Sequence, residues 1–196
     1  MATAVAPPDA VATPQSAFPQ TQNLPDEHIH ISLTYDPLDL NAAISHVRSP
    51  TAGAIVTFSG TTRDSFNGRA VSSLSYSTYA PLALRTMLQI CKDVRAKHKL
   101  FGIAMIHRLG TVPIGEESIL ICVSSAHRQE AWRAGEEALE KCKEKVEVWK
   151  METFNEGEGE SVWRANRDGQ EGVRVDLVSE AKTASGGGEG SANTNS

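Results

Sequence analysis

The sequence predicts an α+β domain with a mainly antiparallel sheet. Several short segments alternate between apolar and polar residues, as strands do when one of their faces is buried. Three longer segments carry apolar residues at helical spacing. The predicted order of elements is β α β β α β β α β. Because a doubly wound parallel sheet needs a helix between successive strands, the adjacent strands in this order favour the α+β class.

The first predicted strand covers residues 28–33. Its isoleucine and leucine side chains share one face, and His28 and His30 share the other. This His-x-His spacing can bind a metal, but no further ligands are nearby, so a solvated strand face is favoured. Further strands are predicted at residues 53–60, 71–79, 101–109, 118–125, 146–154 and 173–178.

The second and third predicted strands are interpreted as a hairpin with a long loop. The loop, residues 61–70, contains Arg63, Asp64 and the turn pair Asn67-Gly68. Long loops of this kind are often functional.

Three helices are predicted from capping residues and apolar spacing. Asp36 is expected to cap the first helix, with Pro37 in its first position. Pro81 is expected to start the second helix. The third helix is predicted at residues 126–145, with small apolar residues on its inner side.

The two ends of the chain have compositions typical of disorder. Residues 1–23 are rich in Ala, Pro, Thr and Gln, and residues 180–196 are mostly Gly, Ser and Asn. The sequence therefore predicts one folded domain, residues 24–179, between two disordered tails.

Composition excludes several classes of function. The formal net charge of −5 argues against general nucleic-acid binding, which requires a basic surface. No apolar run approaches the roughly 20 residues of a membrane span, and no secretory signal is visible, so a cytoplasmic protein is expected. The three cysteines, Cys91, Cys122 and Cys142, are far apart and are interpreted as buried core residues.

A His-Arg pair begins the third predicted helix. His127 and Arg128 follow two serines at the point where a strand ends, and a serine is expected to cap the helix. The free N–H groups and the positive dipole end of a helix favour an anion there, although cations at this end oppose the usual charge preference. The pattern therefore indicates an anion site, or else His127 and Arg128 pair with nearby acids such as Glu130.

Three more cations are candidates for the same pocket. Lys143 lies in the last turns of the third helix, where lysines are also ordinary partners of the helix dipole. Lys150 shares an apolar strand face with Val148, which favours partial desolvation and a nucleophilic or acid/base role, although a solvated charge is equally consistent. Arg63 suits phosphate binding through its planar fork. His107 and Arg108 can belong to the pocket or can simply end a strand.

The residues alone therefore predict a cationic pocket for a phosphorylated or carboxylate ligand, but they do not identify a reaction. No carboxylate pair spaced for glycoside hydrolysis, dinucleotide fingerprint, P-loop or nucleophile elbow occurs in the sequence. A non-enzymatic module that binds an anionic metabolite or a protein tail, and a nucleotide-binding regulatory domain, both stay open at this point.

Four segments carry a resemblance to a known family. The segments GAIVTFSGTTRD, IHRLGTVPIGE, VSSAHRQEAWRAGEEALEKCKEKVEVWKMETF and VWRANRD resemble the catalytic (large) subunit of molybdopterin synthase, over roughly residues 27–168. The SSAHR motif, followed by Lys-x6-Lys, is the most specific part of this resemblance. The resemblance implies an α/β hammerhead-type fold with three main helices.

The resemblance also implies an activity. Such an enzyme is a sulfurtransferase that converts cyclic pyranopterin monophosphate to molybdopterin by adding two dithiolene sulfurs. The sulfur arrives on a small partner subunit, as a C-terminal Gly-Gly thiocarboxylate. Two large subunits form the central dimer of a heterotetramer. No metal or organic cofactor is implied.

The family's functional residues transfer to matching positions of this sequence. Lys143 matches a lysine essential for catalysis, and Lys150 matches a second active-site lysine. The substrate-binding positions that match are His127, Arg128, Lys143, Lys150, Met151, Glu152, Arg63 and Arg167.

Overall fold

The computed structural model describes residues 14–155 and 163–165 of the 196-residue chain. Within these residues, three helices and ten strands form in the following order: β1 (Gln20–Leu24), β2 (Ile29–Thr34), α1 (Leu40–Ser45), β3 (Ala54–Thr61), β4 (Ser65–Phe66), β5 (Arg69–Thr78), α2 (Ala80–His98), β6 (Gly102–Arg108), β7 (Gly110–Pro113), β8 (Glu117–Ser125), α3 (Arg128–Lys145), β9 (Val148–Phe154) and β10 (Trp163–Ala165). The strand predicted at 173–178, the predicted C-terminal tail and Arg167 lie outside the described residues.

The strands form two sheets. The first has the order β1-β2-β6-β8-β3, and the second has the order β10-β9-β5-β4, with β7 also paired to β5. Among the described strands, β2 and β6 form a parallel pair and every other pair is antiparallel. The prediction of an α+β fold with a mainly antiparallel sheet is confirmed, with the strands divided between two sheets.

The main core lies between the first sheet and the helices α2 and α3. Alternation in β2 places Ile29, Ile31 and Leu33 in this core, fully buried, as predicted. The short helix α1 covers the opposite face of the same sheet through a smaller apolar cluster around Ala43 and Val47. All three cysteines are free and buried, which confirms their interpretation as core residues.

The predicted hairpin between residues 53–60 and 71–79 is wrong. These segments form β3 and β5, which belong to different sheets. The loop between them supplies the hairpin partner instead, because β4 turns back onto β5 through Asn67 and Gly68. Both turn residues have positive φ, 49° and 77°, as a two-residue hairpin turn requires.

The predicted N-terminal tail extends too far along the chain. Residues 20–24 form β1, which pairs with β2 from Gln20↔Leu33 to Leu24↔Ile29. A polar edge strand of this kind is held largely by backbone hydrogen bonds, so its composition does not distinguish it from a disordered segment. Residues 1–13 lie outside the described part of the chain.

Two local predictions near α1 are also corrected. Asp39, rather than Asp36, caps α1, because its carboxylate accepts the backbone N–H groups of Asn41 at 2.8 Å and Ala42 at 3.1 Å. His30 does not lie on a solvated strand face, because its ring stacks on that of His46 at 3.5 Å between centroids. In the described ranges, no cluster of three or more His, Cys, Asp or Glu side chains is arranged to hold a metal ion.

Candidate active site

A pocket of about 750 Å³ lies where the two sheets meet the C-terminal half of α3. The end of β3, the β4–β5 hairpin and the start of β8 form much of its wall. Three charged side chains that line it come from β9 and β10: Lys150, Glu152 and Arg164. Its volume is within the usual range for small-molecule sites.

Strand register aligns three of the polar side chains in the pocket. Tyr76 on β5 pairs with Lys150 on β9, and Lys150 pairs with Arg164 on β10. Directly opposite residues in neighbouring strands project from the same face of a sheet. The alternation predicted for β9 is confirmed, since Val148, Glu152 and Phe154 are buried on the face that carries Lys150.

A buried carboxylate lies between two of these cations. The Oε1 atom of Glu152 is 3.7 Å from Lys150 Nζ, and its Oε2 atom is 3.7 Å from Arg164 Nε. The Phe66 ring centroid is 6.0 Å from Lys150 Nζ and 5.2 Å from Arg164 Cζ, at cation–π distances. Glu152 therefore partly balances the positive charge and holds the two cations against one wall.

Lys143 and Arg63 reach the same pocket from other elements. Lys143 lies near the C-terminal end of α3, one turn after Leu139, which also lines the pocket. Arg63 lies in the exposed loop between β3 and β4. The pocket therefore brings together four of the predicted residues: Arg63, Lys143, Lys150 and Glu152.

Met151 does not line this pocket. It lies between Lys150 and Glu152 in β9, so its side chain projects from the opposite face of the strand. Substrate binding by the Met151 side chain within this chain's pocket is therefore not supported by the geometry.

His127 and Arg128 lie at the other end of α3. Both are exposed, His127 is the N-cap of the helix, and the pair lines a separate surface cleft of about 690 Å³ beside Trp132. Lys143 lies fifteen positions after Arg128, which corresponds to about 22 Å along the helix. Within one chain these cations do not converge, because one continuous helix separates them.

The start of α3 also differs in detail from the prediction. Neither serine caps the helix, because His127 is the N-cap and makes no side-chain capping bond. The Ser125 hydroxyl instead donates to the His127 carbonyl at 2.6 Å. Pairing of the His-Arg pair with Glu130 is not seen among the described residues, and Glu130 Oε2 is buried without a hydrogen-bond partner there.

Sequence reasoning missed or left open several pocket residues. Tyr76, Ser118 and Arg164 were not singled out, and His107 was left open between a pocket residue and the end of a strand. Burial raises the pKa of Tyr76, with the Glu152 charge adding to the rise and the Ser118 hydroxyl opposing it. Strand alternation predicts that Tyr76 faces a core, but it does not reveal that this core contains a cleft. Arg108, for which the same question was left open, pairs with Glu116 and does not line the pocket.

The fold and the pocket together define an α+β domain with a cation-lined cleft suited to an anionic ligand. Over residues 33–145, the chain matches the model of the MoaE protein family. It is 63% identical to the molybdopterin synthase catalytic subunit of Neurospora crassa, over 83% of this chain and 79% of that protein. It is 60% identical to the subunit of the same name from Pyricularia oryzae, over 84% of this chain and 89% of that protein.

Solved structures show the same relationship. Molybdopterin synthase from Staphylococcus aureus superposes with a TM-score of 0.63 at 32% identity, over 67% of this chain and 94% of that chain. The chain therefore belongs to the MoaE family of molybdopterin synthase catalytic subunits, which makes it an enzyme of molybdenum cofactor biosynthesis. In the described ranges, no helix is both long and apolar enough to cross a membrane.

Proposed function

We propose that this chain transfers sulfur to cyclic pyranopterin monophosphate to form molybdopterin, and that Lys143 and Lys150 are its catalytic residues. The observation that carries the proposal is that these two lysines and Arg63 line one pocket, although they come from a helix, a strand and a loop. The relatives named molybdopterin synthase catalytic subunit support the same reaction class.

The charges of the pocket fit both reactants. The substrate carries a cyclic phosphate, and the proposed sulfur donor is the thiocarboxylate at the C-terminus of a small Gly-Gly-ended subunit. Arg63 has the fork geometry that binds phosphate oxygens. The thiocarboxylate sulfur bonds to a substrate carbon in place of an oxygen substituent, and water then cleaves the acyl–sulfur bond, which leaves sulfur on the substrate and an ordinary carboxylate on the donor. Negative charge develops on the acyl oxygen during this cleavage, and a lysine ammonium stabilises that charge.

The two lysines differ in ways that suit different tasks. Lys150 is already close to the Glu152 carboxylate, and its side chain is only 18% exposed. A lysine held in place by a carboxylate is suited to steady electrostatic stabilisation. Lys143 reaches the pocket from the C-terminal end of α3, where its ammonium group can donate to developing negative charge or move a proton to or from the reacting group. Both lysines belong to the same chain as the pocket that they line.

His127 and Arg128 enter the proposal through a second copy of the chain. They lie about 22 Å along α3 from Lys143, so they cannot contact a ligand held beside Lys143 in the same chain. In a symmetric dimer, each chain can offer its His-Arg pair to the pocket of the other. Such a central dimer, with one small subunit for each large one, forms the proposed heterotetramer. Met151 and Arg167 remain proposed substrate-binding residues only in such an assembly.

Reconstitution tests the reaction. The purified chain is mixed with thiocarboxylated small subunit and cyclic pyranopterin monophosphate, and molybdopterin is measured. Product is expected in this mixture and not in a control with small subunit that carries an ordinary carboxylate. A chain that is folded and binds the small subunit, yet forms no molybdopterin, would contradict the proposal.

A mixing experiment tests the second copy. Lys143→Ala and Arg128→Ala chains are each expected to have low activity as homodimers. If each pocket takes Lys143 from one chain and Arg128 from the other, an exchanged heterodimer has one intact pocket out of two. Random exchange then restores about a quarter of wild-type activity. Activity that stays at the average of the two variants after exchange would show that the two residues do not meet across a dimer.

A further inference from the structure

Three uncharged polar side chains form the inner surface of the pocket. Tyr76, His107 and Ser118 are 7%, 1% and 6% exposed, and all three line the cavity. His107 comes from the first sheet and Tyr76 from the second, and their rings meet edge to face at 5.0 Å between centroids. None of them has a part in the charge chemistry proposed above. We call these three residues the pocket floor.

The hydrogen bonds of His107 fix its tautomer. Its Nδ1 atom lies 2.8 Å from the backbone carbonyl oxygen of Arg108, and a carbonyl oxygen can only accept. Nδ1 therefore carries the hydrogen, and in the neutral ring the lone pair is on Nε2. Burial lowers the pKa of His107 to about 4, although the bond to Arg108 opposes this effect. The ring is consequently neutral near pH 7.

The Nε2 lone pair has no partner in the described part of the chain. The atom is buried, and its side chain lines the cavity. Leaving a buried acceptor unsatisfied is costly, and a hydrogen-bond donor from a ligand would remove that cost. An anionic oxygen cannot be that donor, since it offers only lone pairs.

The surroundings of His107 favour a flat ring with N–H groups. Ile119 pairs with His107 in the sheet register, and Phe58 lines the same cavity. Between them, Gly60 provides no Cβ; one placed there would lie 2.7 Å from Ile119 Cγ2 and 3.2 Å from Phe58 Cε1. Apolar walls beside a single lone pair are complementary to a planar heterocycle that presents an N–H edge.

We propose that His107 contacts the substrate directly, by accepting a hydrogen bond at Nε2 from an N–H group of the substrate's heterocyclic ring. The inference rests on the proposed function, because it assigns the pocket floor to the uncharged ring of the same substrate whose phosphate the cations bind. The backbone N–H groups of an incoming peptide tail have the same donor chemistry, so the experiment measures substrate and tail separately.

Two amide substitutions distinguish the role of Nδ1 from that of Nε2 in the His107 ring. The amide of His107→Asn occupies the position of Nδ1 and can keep the bond to the Arg108 carbonyl, but it leaves no acceptor at Nε2. The amide of His107→Gln reaches the position of Nε2 and can present an oxygen there. Binding of cyclic pyranopterin monophosphate is measured by calorimetry without small subunit, and binding of small subunit is measured separately. His28→Gln, at an exposed histidine outside the pocket, is the control.

His107→Asn is expected to weaken binding of the cyclic pterin about tenfold or more, as loss of one buried hydrogen bond implies. His107→Gln is expected to stay within about threefold of wild type, and both variants are expected to bind small subunit normally. The inference would be overturned if both variants bound the cyclic pterin equally well, or if His107→Gln bound it more weakly than His107→Asn. A loss confined to small-subunit binding would also overturn it. In all three cases wild-type turnover would leave the proposed function standing, whereas a wild type that binds no pterin would overturn both.

Discussion

The two ends of α3 carry similar residues in opposite settings. At its N-terminal end, His127 and Arg128 are exposed beside a surface cleft. At its C-terminal end, Lys143 lines an interior pocket with Lys150, Arg164 and the buried carboxylate of Glu152. The difference shows that a pocket with its own counter-charge can form within one chain, whereas the exposed pair lies in an open surface cleft among the described residues.

The largest expected effect is at the C-terminal end. Lys143→Ala is expected to lower kcat about a hundredfold to a thousandfold, because a positioned donor to developing negative charge is lost. Steady-state formation of molybdopterin measures this effect, and small-subunit binding is expected to be unchanged. Lys145→Ala is the matched control, since Lys145 is exposed on the same last turn and does not line the pocket. Equal losses in the two variants would show that helix-end charge, and not pocket geometry, matters.

Acid is expected to lower the free energy of unfolding through His107, which is buried at the interior pocket. The pKa of His107 is about 4 in the folded chain and about 6.5 in an unfolded one, so the unfolded chain binds more protons between these values. The free energy of unfolding contributed by this group is fully present above pH 6.5 and falls by about 3 kcal/mol as the pH drops to 4.

Denaturant unfolding at several pH values measures how the free energy of unfolding changes with pH. His30, whose pKa is also lowered to about 4 by burial and by His46, adds a loss in the same direction. His107→Gln is therefore expected to flatten the pH dependence without abolishing it. An unchanged slope in this variant would contradict the assignment of the loss to His107.

A smaller effect is expected at the N-terminal end. Arg128→Ala is expected to lower kcat/KM about tenfold, mainly through KM, because a charge-assisted bond to phosphate is worth about 1.5–3 kcal/mol. Gln129→Ala, at the next exposed position of the same cleft, is the control. If Arg128→Ala lowers kcat and leaves KM unchanged, the pair acts on the reaction step instead of on binding.

The smallest expected effects come from two glycines, Gly53, which lies against the residue before the N-cap of α3, and Gly135, which lies within α3. A Cβ at Gly53 would lie 2.3 Å from the Ala126 carbonyl oxygen, so Gly53→Ala must displace the start of the helix and is expected to cost about 1–2 kcal/mol. A Cβ at Gly135 meets Val56 at an ordinary 3.5 Å. Gly135→Ala is therefore expected to stabilise the chain by about 0.5–1 kcal/mol through helix propensity.

Thermal unfolding of both glycine variants checks these signs. Gly53→Ala is also expected to reduce activity through its effect on His127 and Arg128, while Gly135→Ala is expected to leave the pocket lysines in place. Destabilisation by Gly135→Ala would indicate that α3 packs on the sheet more tightly than these distances imply.

Local pattern predicted the elements well, because it depends on neighbouring residues. Alternation in β9 placed Lys150 on the buried face, and apolar spacing located α2 and α3 close to their observed bounds. The edge strand β1 was missed because backbone pairing leaves little trace in side-chain composition. The hairpin between β3 and β5 was wrong because alternation does not specify which sheet a strand joins.

The site was predicted in part for a similar reason. Family resemblance pointed to Lys143, Lys150 and Arg63, which the pocket brings together, and strand alternation also pointed to Lys150. The helix predicted at residues 126–145 already implies that Arg128 and Lys143 lie about 22 Å apart, because an α-helix rises about 1.5 Å per residue. His107 and Tyr76 could be placed only by the fold, since they come from different sheets.

The parallel pairing of β2 with β6 has a consequence for how the chain folds. Ile29 lies beside Ile103, so about 74 residues must be made before the second strand can meet its neighbour. Contacts between such distant segments slow folding, because the intervening chain must first be closed into a loop. During synthesis, the backbone edge of β2 that pairs with β6 therefore stays open until β6 emerges from the ribosome, and an open strand edge is prone to pair with another chain.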